Sequence, residues 1–276
     1  MKLSLNTVNF GKNLDNRLEI SKILDLLKKY NIYHLETSPL YHSSEKTLGE
    51  YNIEDFDILT TTPKIDYTIS KNDNFELFKN TFYNSQKKLG YIELDSLVFP
   101  DGNDLLSNYG LTLWDLISDF KDKEYVRKIG VRVKSTDELI KIIDTVDIDI
   151  VQLPLNLIDH RFVGILKELK QKHVEIHSYS TFLQGILLLQ NYEIPHYFNE
   201  IKQILEKIPN PKMAFALSFP KLIKEIDKIT VAIASYSELQ TIIQMYNLDV
   251  GIINYEEYKI TADKYLLPNK FNKYIM

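Results

Sequence analysis

The chain has 276 residues, 44% of them apolar, which is enough for one sizeable core and fits a single α/β domain over residues 1–276 better than two small ones. A net charge of −5 and a pI near 5.7 offer no basic face for nucleic acid. The absence of cysteine removes disulfides, thiolate catalysis and cysteine-ligated zinc, so no metal site is expected. The first residues are too polar for a secretory segment and no apolar run has membrane-spanning length, so a cytoplasmic protein is expected.

Residues 3–8 alternate as a strand does and end in Asn9-Phe10-Gly11. Residues 17–30 set Leu18, Ile20, Ile23, Leu24 and Leu27 at helical spacing. A second strand at 32–35 runs into the acid Glu36, and a loop with Pro39 and Tyr41 follows. Ser43, Ser44 and Glu45 then open a short helix at 44–51, the serines suited to free backbone N–H groups and the glutamate to the helix dipole. A third strand at 56–61 stops before Pro63, and a helix at 75–89 carries Phe75, Phe78, Phe82 and Leu89 on one side. A strand at 95–99 breaks at Pro100-Asp101-Gly102; a helix at 111–121 and a strand at 128–133 come next.

Residues 136–144 form a helix with Ser135 as its cap, and 148–153 are nearly all apolar, as in a parallel strand buried on both faces. Helices at 162–172, 196–208 and 213–219, strands at 174–178 and 229–234, and a last helix at 238–245 complete the pattern. The tail from Asp249 is aromatic and lysine-rich without a clean period. Eight strands alternating with helices predict a (β/α)8 TIM barrel. A doubly wound sheet is the alternative, but no Gly-x-Gly-x-x-Gly follows any strand. In barrels of this kind chemistry gathers where strands hand over to helices, which is where Glu36 and Tyr41 lie.

The stretch LETSPLYHSSEKTLG, residues 35–49, resembles the signature of the aldo-keto reductases, with Tyr41, Ser44, Glu45, Leu48 and Gly49 in place, Glu36 for an aspartate and His42 for a glycine. KIGVRV, IVQLPLNLIDHRF and IHSYSTFLQGILLL resemble the fifth, sixth and seventh strand segments of a bacterial, carbohydrate-associated branch. The resemblance runs from Leu3 to about Met245 and implies a nicotinamide cofactor, NADP or NAD, with Gln152 on its carboxamide, Tyr179 against its ring and Glu238 near the adenosine. It implies Tyr41 as proton donor with Glu36 beside it, and a tail, residues 249–276, over the pocket mouth. His42, Asn156 and Arg161 are candidates for a small-molecule substrate, a sugar or sugar nucleotide. Taken alone, Gln152 could equally satisfy backbone groups, Tyr179 could be a rim residue, and Arg161 could clamp Asp159.

The same resemblance implies a lysine to lower the tyrosine pKa and a histidine to orient the carbonyl. DILTTTPKI sets Thr61 opposite that lysine, and LDSLVFPDG sets Phe99 opposite that histidine. Lys64, folding back, or His42, beside Tyr41, could substitute. The stretch VAIASYSELQTII has Ala232 for a glycine and Ile242 for an asparagine, and the fifth strand ends in Arg132-Val133 in place of Ser-Asn. No lysine or arginine lies from Thr230 to Met245 to hold a 2′-phosphate. Three readings follow: a barrel with its pocket kept and ordinary carbonyl reduction impaired; a working oxidoreductase of sugar-type carbonyls using Tyr41; and a non-catalytic interaction protein.

Overall fold

The computed structural model describes residues 1–90 and 93–271 and closes the strand stretches into one parallel barrel whose order follows the chain, β1 to β8. The first half runs β1 (Leu3–Asn6), α1 (Arg17–Lys29), β2 (His34–Glu36), α2 (Ser44–Leu48), β3 (Asp57–Thr61), α3 (Lys71–Leu89), β4 (Leu94–Phe99), α4 (Gly102–Leu105) and α5 (Gly110–Asp122). The second runs β5 (Val126–Arg132), α6 (Thr136–Ile143), β6 (Ile150–Pro154), α7 (Leu166–Gln171), β7 (Glu175–Tyr179), α8 (Lys202–Glu206), α9 (Lys212–Leu222), β8 (Lys228–Ala232) and α10 (Tyr236–Asn247). Two short turns, α11 (Asp263–Leu266) and α12 (Pro268–Phe271), end the described chain. No helix is long and apolar enough to cross a membrane, among the described residues.

Local chemistry sets several boundaries. Ser70 caps α3 by accepting from Asp73 N–H, so the helix starts at Lys71, ahead of its first apolar residue. Ser135 and Glu138 form a reciprocal capping box on α6. The expected helix at 196–208 divides into a 3₁₀ segment, His196–Ile201, and α8. The serines of α2 do not cap as expected. Ser43 Oγ donates to Gly11 O at 2.8 Å and Ser44 Oγ to Thr7 O at 2.9 Å, tying the helix to the loop after β1.

Closure sets inward residues in rows. Asn6, Glu36, Leu59, Ser96 and Lys128 are successive partners across β1 to β5, and Arg132, Gln152, His177 and Lys228 across β5 to β8. One side of the bore is apolar: Leu59, Val98 and Ile150 form a cluster of their own. There Gly130 is required, since a Cβ would stand 1.9 Å from Ile150 O. The other side carries Ser4, His34, Glu36, His177 and Thr230, all buried. The larger core fills the layer between strands and helices.

The tail is packed, with Ile260 N–H donating to Ile158 O at 2.9 Å and Tyr265, Leu266 and Phe271 buried. The residues lining the mouth cavity fall between Asn6 and Glu238, so the described tail is not among them. Residues 272–276 of the tail lie outside the described residues.

Candidate functional site

A cavity of about 460 Å³ opens at the C-terminal ends of the strands. Asn6, Glu36, Tyr41, Arg132, Tyr179, Thr230 and Glu238 line it, with Ser180, Thr181 and Gln184 from the loop after β7. Glu36 ends β2 at 1% exposure. Its Oε1 accepts from Thr230 Oγ1 at 2.5 Å and lies 3.8 Å from His177 Nδ1. Its Oε2 faces Asn6 Nδ2 at 3.5 Å and an Arg132 nitrogen at 3.8 Å. Burial alone would raise the pKa of Glu36, but the His177 and Arg132 interactions hold it down at about 2. The group is a carboxylate.

Asn6 Nδ2 also donates to the Tyr41 hydroxyl at 3.1 Å, linking phenol and carboxylate. Arg132 is the cation of the site. Burial would lower its pKa, yet Tyr41 and Glu36 beside it raise it, so it stays charged. Its Nε donates to Gln152 Oε1 at 3.0 Å and its guanidinium lies 5.0 Å from the centre of the Tyr179 ring. Tyr179 is fixed by donating to Val133 O at 2.8 Å, and burial pushes its phenol pKa up. Gln152 Nε2 is buried without a hydrogen-bond partner among the described residues.

Below the mouth, His177 Nε2 lies 2.8 Å from Glu175 Oε1, and His34 packs edge-on to His177 at 4.7 Å. Burial would lower the His177 pKa, but Glu175 and Glu36 raise it. Burial and then His177 push His34 down to about 3, so that ring is neutral.

The remaining candidates are dispersed. His42 is exposed, outside the cavity lining, at a left-handed φ of 39° where the resembling sequences have glycine. Asn156 is buried; its Oδ1 accepts from Ile158 and Asp159 N–H, and its Nδ2 donates to Ser180 O at 3.1 Å. Arg161 forks onto Asp159 at 2.9 and 2.8 Å and reaches Asp263 at 3.0 Å, clamping loop to tail. Glu238 lines the cavity while its Oε2 accepts from Ala234 N–H at 2.6 Å.

Lys64, like His42, is exposed and outside the cavity lining, while Asn6 Nδ2 is the group that donates to the Tyr41 hydroxyl. Thr61 Oγ1 and Ser38 Oγ are 2.5 Å apart, a neutral hydroxyl pair. Phe99 does not face the mouth. Its ring lies 5.5 Å from Phe78 and 6.2 Å from Trp114, on the helix side of β4, and Val98 is the inward residue. Sequence reasoning missed Arg132, His34, His177 and Thr230 as site neighbours. A usable signal existed: HLE and EIH place His34 with Glu36, and Glu175 with His177, at the two-residue spacing that shares a strand face.

The sequence description of the Aldo/keto reductase family matches residues 3–249. No curated protein sequence gives a significant match. Among solved structures, the holo form of aldo-keto reductase AKR11C1 from Bacillus halodurans superposes with a TM-score of 0.75 at 14% identity, over 93% of this chain and 89% of that one. A Pseudomonas aeruginosa protein described as an aldo-keto reductase gives 0.67 at 16% identity, over 88% of each chain.

Proposed function

The chain belongs to the aldo/keto reductase family, and from that premise we propose that it is a repurposed member whose mouth binds a sugar-type ligand and whose ordinary NAD(P)H-dependent carbonyl reduction is impaired. One observation carries this reading. Two groups that the resemblance gives to the nicotinamide, the Tyr179 ring and the carbonyl oxygen of the Gln152 amide, are both contacted by Arg132. A nicotinamide stacked on that face or bonded to that oxygen has to displace this guanidinium. With Arg132 where it stands, the residues present do not fit the cofactor in its family position. The segment from Thr230 to Met245 adds no cation for an adenosine phosphate.

What remains suits a polyhydroxylated or anionic small molecule. Asn6, Ser180, Thr181 and Gln184 offer hydroxyl and amide groups around the cavity, and a planar guanidinium stands at its floor. A sugar phosphate or nucleotide sugar presents the complementary chemistry. Carbohydrate metabolism is the setting this reading implies.

A second reading rests on the same arginine. Arg132 brings positive charge to Tyr41 and Glu36, which Thr61 and Phe99 cannot. An oxidoreductase using Tyr41 as proton donor, with Arg132 swung off Tyr179 to admit NADP or NAD, would use that charge to favour the phenolate left after proton transfer.

Fluorescence titration with NADPH and NADH separates the two. The first reading expects no saturable micromolar binding to the wild-type protein, together with a rise in melting temperature on adding a sugar phosphate or nucleotide sugar. It further expects Arg132→Ser, which frees Tyr179 and Gln152, to gain dinucleotide binding. Micromolar binding to the wild type with turnover of an aldose establishes the second reading and removes the first.

A further inference from the structure

Beneath the mouth, two histidines and Glu36 converge inside the bore. His34 precedes Glu36 by two residues on β2, and alternation sends both side chains inward; His177 meets them from β7. One donor atom from each of the three lies within 4.8 Å of the other two, and all three residues are buried.

The far nitrogen of each imidazole is already engaged. His34 Nδ1 is 2.6 Å from Ser4 Oγ, and that hydroxyl also lies 3.4 Å from His34 O, to which it can donate its own proton. Ser4 then accepts from Nδ1–H, which leaves a lone pair on Nε2. Glu175 Oε1 likewise accepts from His177 Nε2 at 2.8 Å, which makes Nδ1 the free position. These two near nitrogens, His34 Nε2 and His177 Nδ1, are buried and have no hydrogen-bond partner among the described residues. An imidazole held by an outer hydroxyl or carboxylate, with its other nitrogen directed at a shared point, is the arrangement of a metal ligand with its supporting shell. Buried polar atoms left without partners carry a desolvation cost that an ion would remove.

We propose that His34 Nε2, His177 Nδ1 and a carboxylate oxygen of Glu36 bind one divalent transition ion of the zinc class below the floor of the cavity. Two imidazoles and a carboxylate form a donor set this class accepts. Bonds of about 2.0–2.2 Å put donors roughly 3.4 Å apart, so the ion draws the cluster inward from its present 4.8 Å limit. Glu36 lines the mouth cavity, which gives the ion its route in. Oε1 faces the histidines while Oε2 faces Arg132, so the carboxylate can serve both charges. Binding at His177 Nδ1 requires that nitrogen to be unprotonated, so the affinity falls at low pH. The site is independent of any nicotinamide cofactor and stands whether or not the preceding reading does.

The test uses the full chain without an affinity tag, stripped with a chelator, loaded with Zn²⁺, and freed of loose metal by gel filtration. Elemental analysis is expected to find about one zinc per chain, and Co²⁺ in its place is expected to give visible d–d bands of a low-coordinate nitrogen and oxygen site. His34→Gln with His177→Gln is expected to abolish both signals. Glu175→Gln leaves every ligand in place and is expected to weaken retention against a competing chelator about 10–100-fold. That variant keeps the proposal testable should the double variant not fold. Substoichiometric zinc without cobalt bands overturns the site, as does equal retention by wild type and Glu175→Gln. So does a ¹⁵N spectrum of the zinc-loaded protein in which both His177 nitrogens stay protonated.

Discussion

Arg132 decides the character of the mouth. Its neighbours are an acid at 1% exposure, a phenol and an aromatic face, so the charge belongs to a connected set. Removing one member of a buried charge pair leaves the other poorly solvated. Thr230 and Asn6 still bond Glu36, and the Arg132 side chain is 23% exposed, which moderates the loss. Arg132→Ala is therefore expected to cost about 2 kcal/mol in urea unfolding, and a wild-type midpoint for the variant would count against the pairing described. His42 presents the opposite case at the same scale. It is exposed and held at φ 39°, a conformation that costs an ordinary residue about 1–2 kcal/mol. His42→Gly relieves this but frees the unfolded chain, so a net gain of about 0.5 kcal/mol is expected, read as a small rise in melting temperature.

Among the elements, β5 is constrained at two points, because Gly130 admits the β6 backbone and Arg132 closes the same face two residues on. Gly130→Ala forces a Cβ to within 1.9 Å of Ile150 O, and the strands must part. A loss of about 1–3 kcal/mol or failure to fold is expected, whereas Gly164→Ala, which meets nothing within 4 Å, is expected to be far milder. The loop after β6 adds a pH dependence. His160 stacks on Phe219 at 4.1 Å, its Nε2 lies 3.0 Å from Leu157 O, and Glu256, Lys259 and Asp159 are the charges around it. Burial lowers its pKa below the ordinary 6.5 in the fold. The unfolded chain then takes up the proton first, so this contribution is complete above 6.5 and is lost as the pH falls below it. Urea midpoints at pH 7.5 and 5.5 are expected to differ in that direction, and His160→Gln to narrow the difference. The strands themselves were readable in the sequence because each is a short alternating or apolar stretch set between helical patterns and turn residues. What each inward side chain meets was not, since Arg132 reaches Gln152 and Tyr179 only once β5, β6 and β7 are in register. Phe99 shows the same limit: a one-residue difference along β4 sends it to the helix layer and Val98 to the bore.

For the molecule as a whole, the family match stops at residue 249 but the packing does not. Tyr265 is 2% exposed and its ring lies 5.6 Å from Tyr197 and 5.9 Å from Phe198. Arg161 and Asp263, and Lys264 and Glu200, add ion pairs across the seam. Tyr265→Ala is expected to cost about 3 kcal/mol and to speed proteolysis of the tail; unchanged digestion would show that the aromatic contacts are not what secures it. That the tail would dock was not legible, because it has no period and its anchors, Ile158 and Arg161, lie about a hundred residues earlier. The split bore has its own bearing on how such a barrel changes over generations. Leu59, Val98, Ile150 and the bare Gly130 form a tight apolar seam that tolerates little alteration. The facing strands hold hydroxyls, imidazoles and carboxylates that can trade partners without opening the ring. Substitutions on the polar wall can then alter the chemistry of the mouth while the apolar wall keeps the barrel closed.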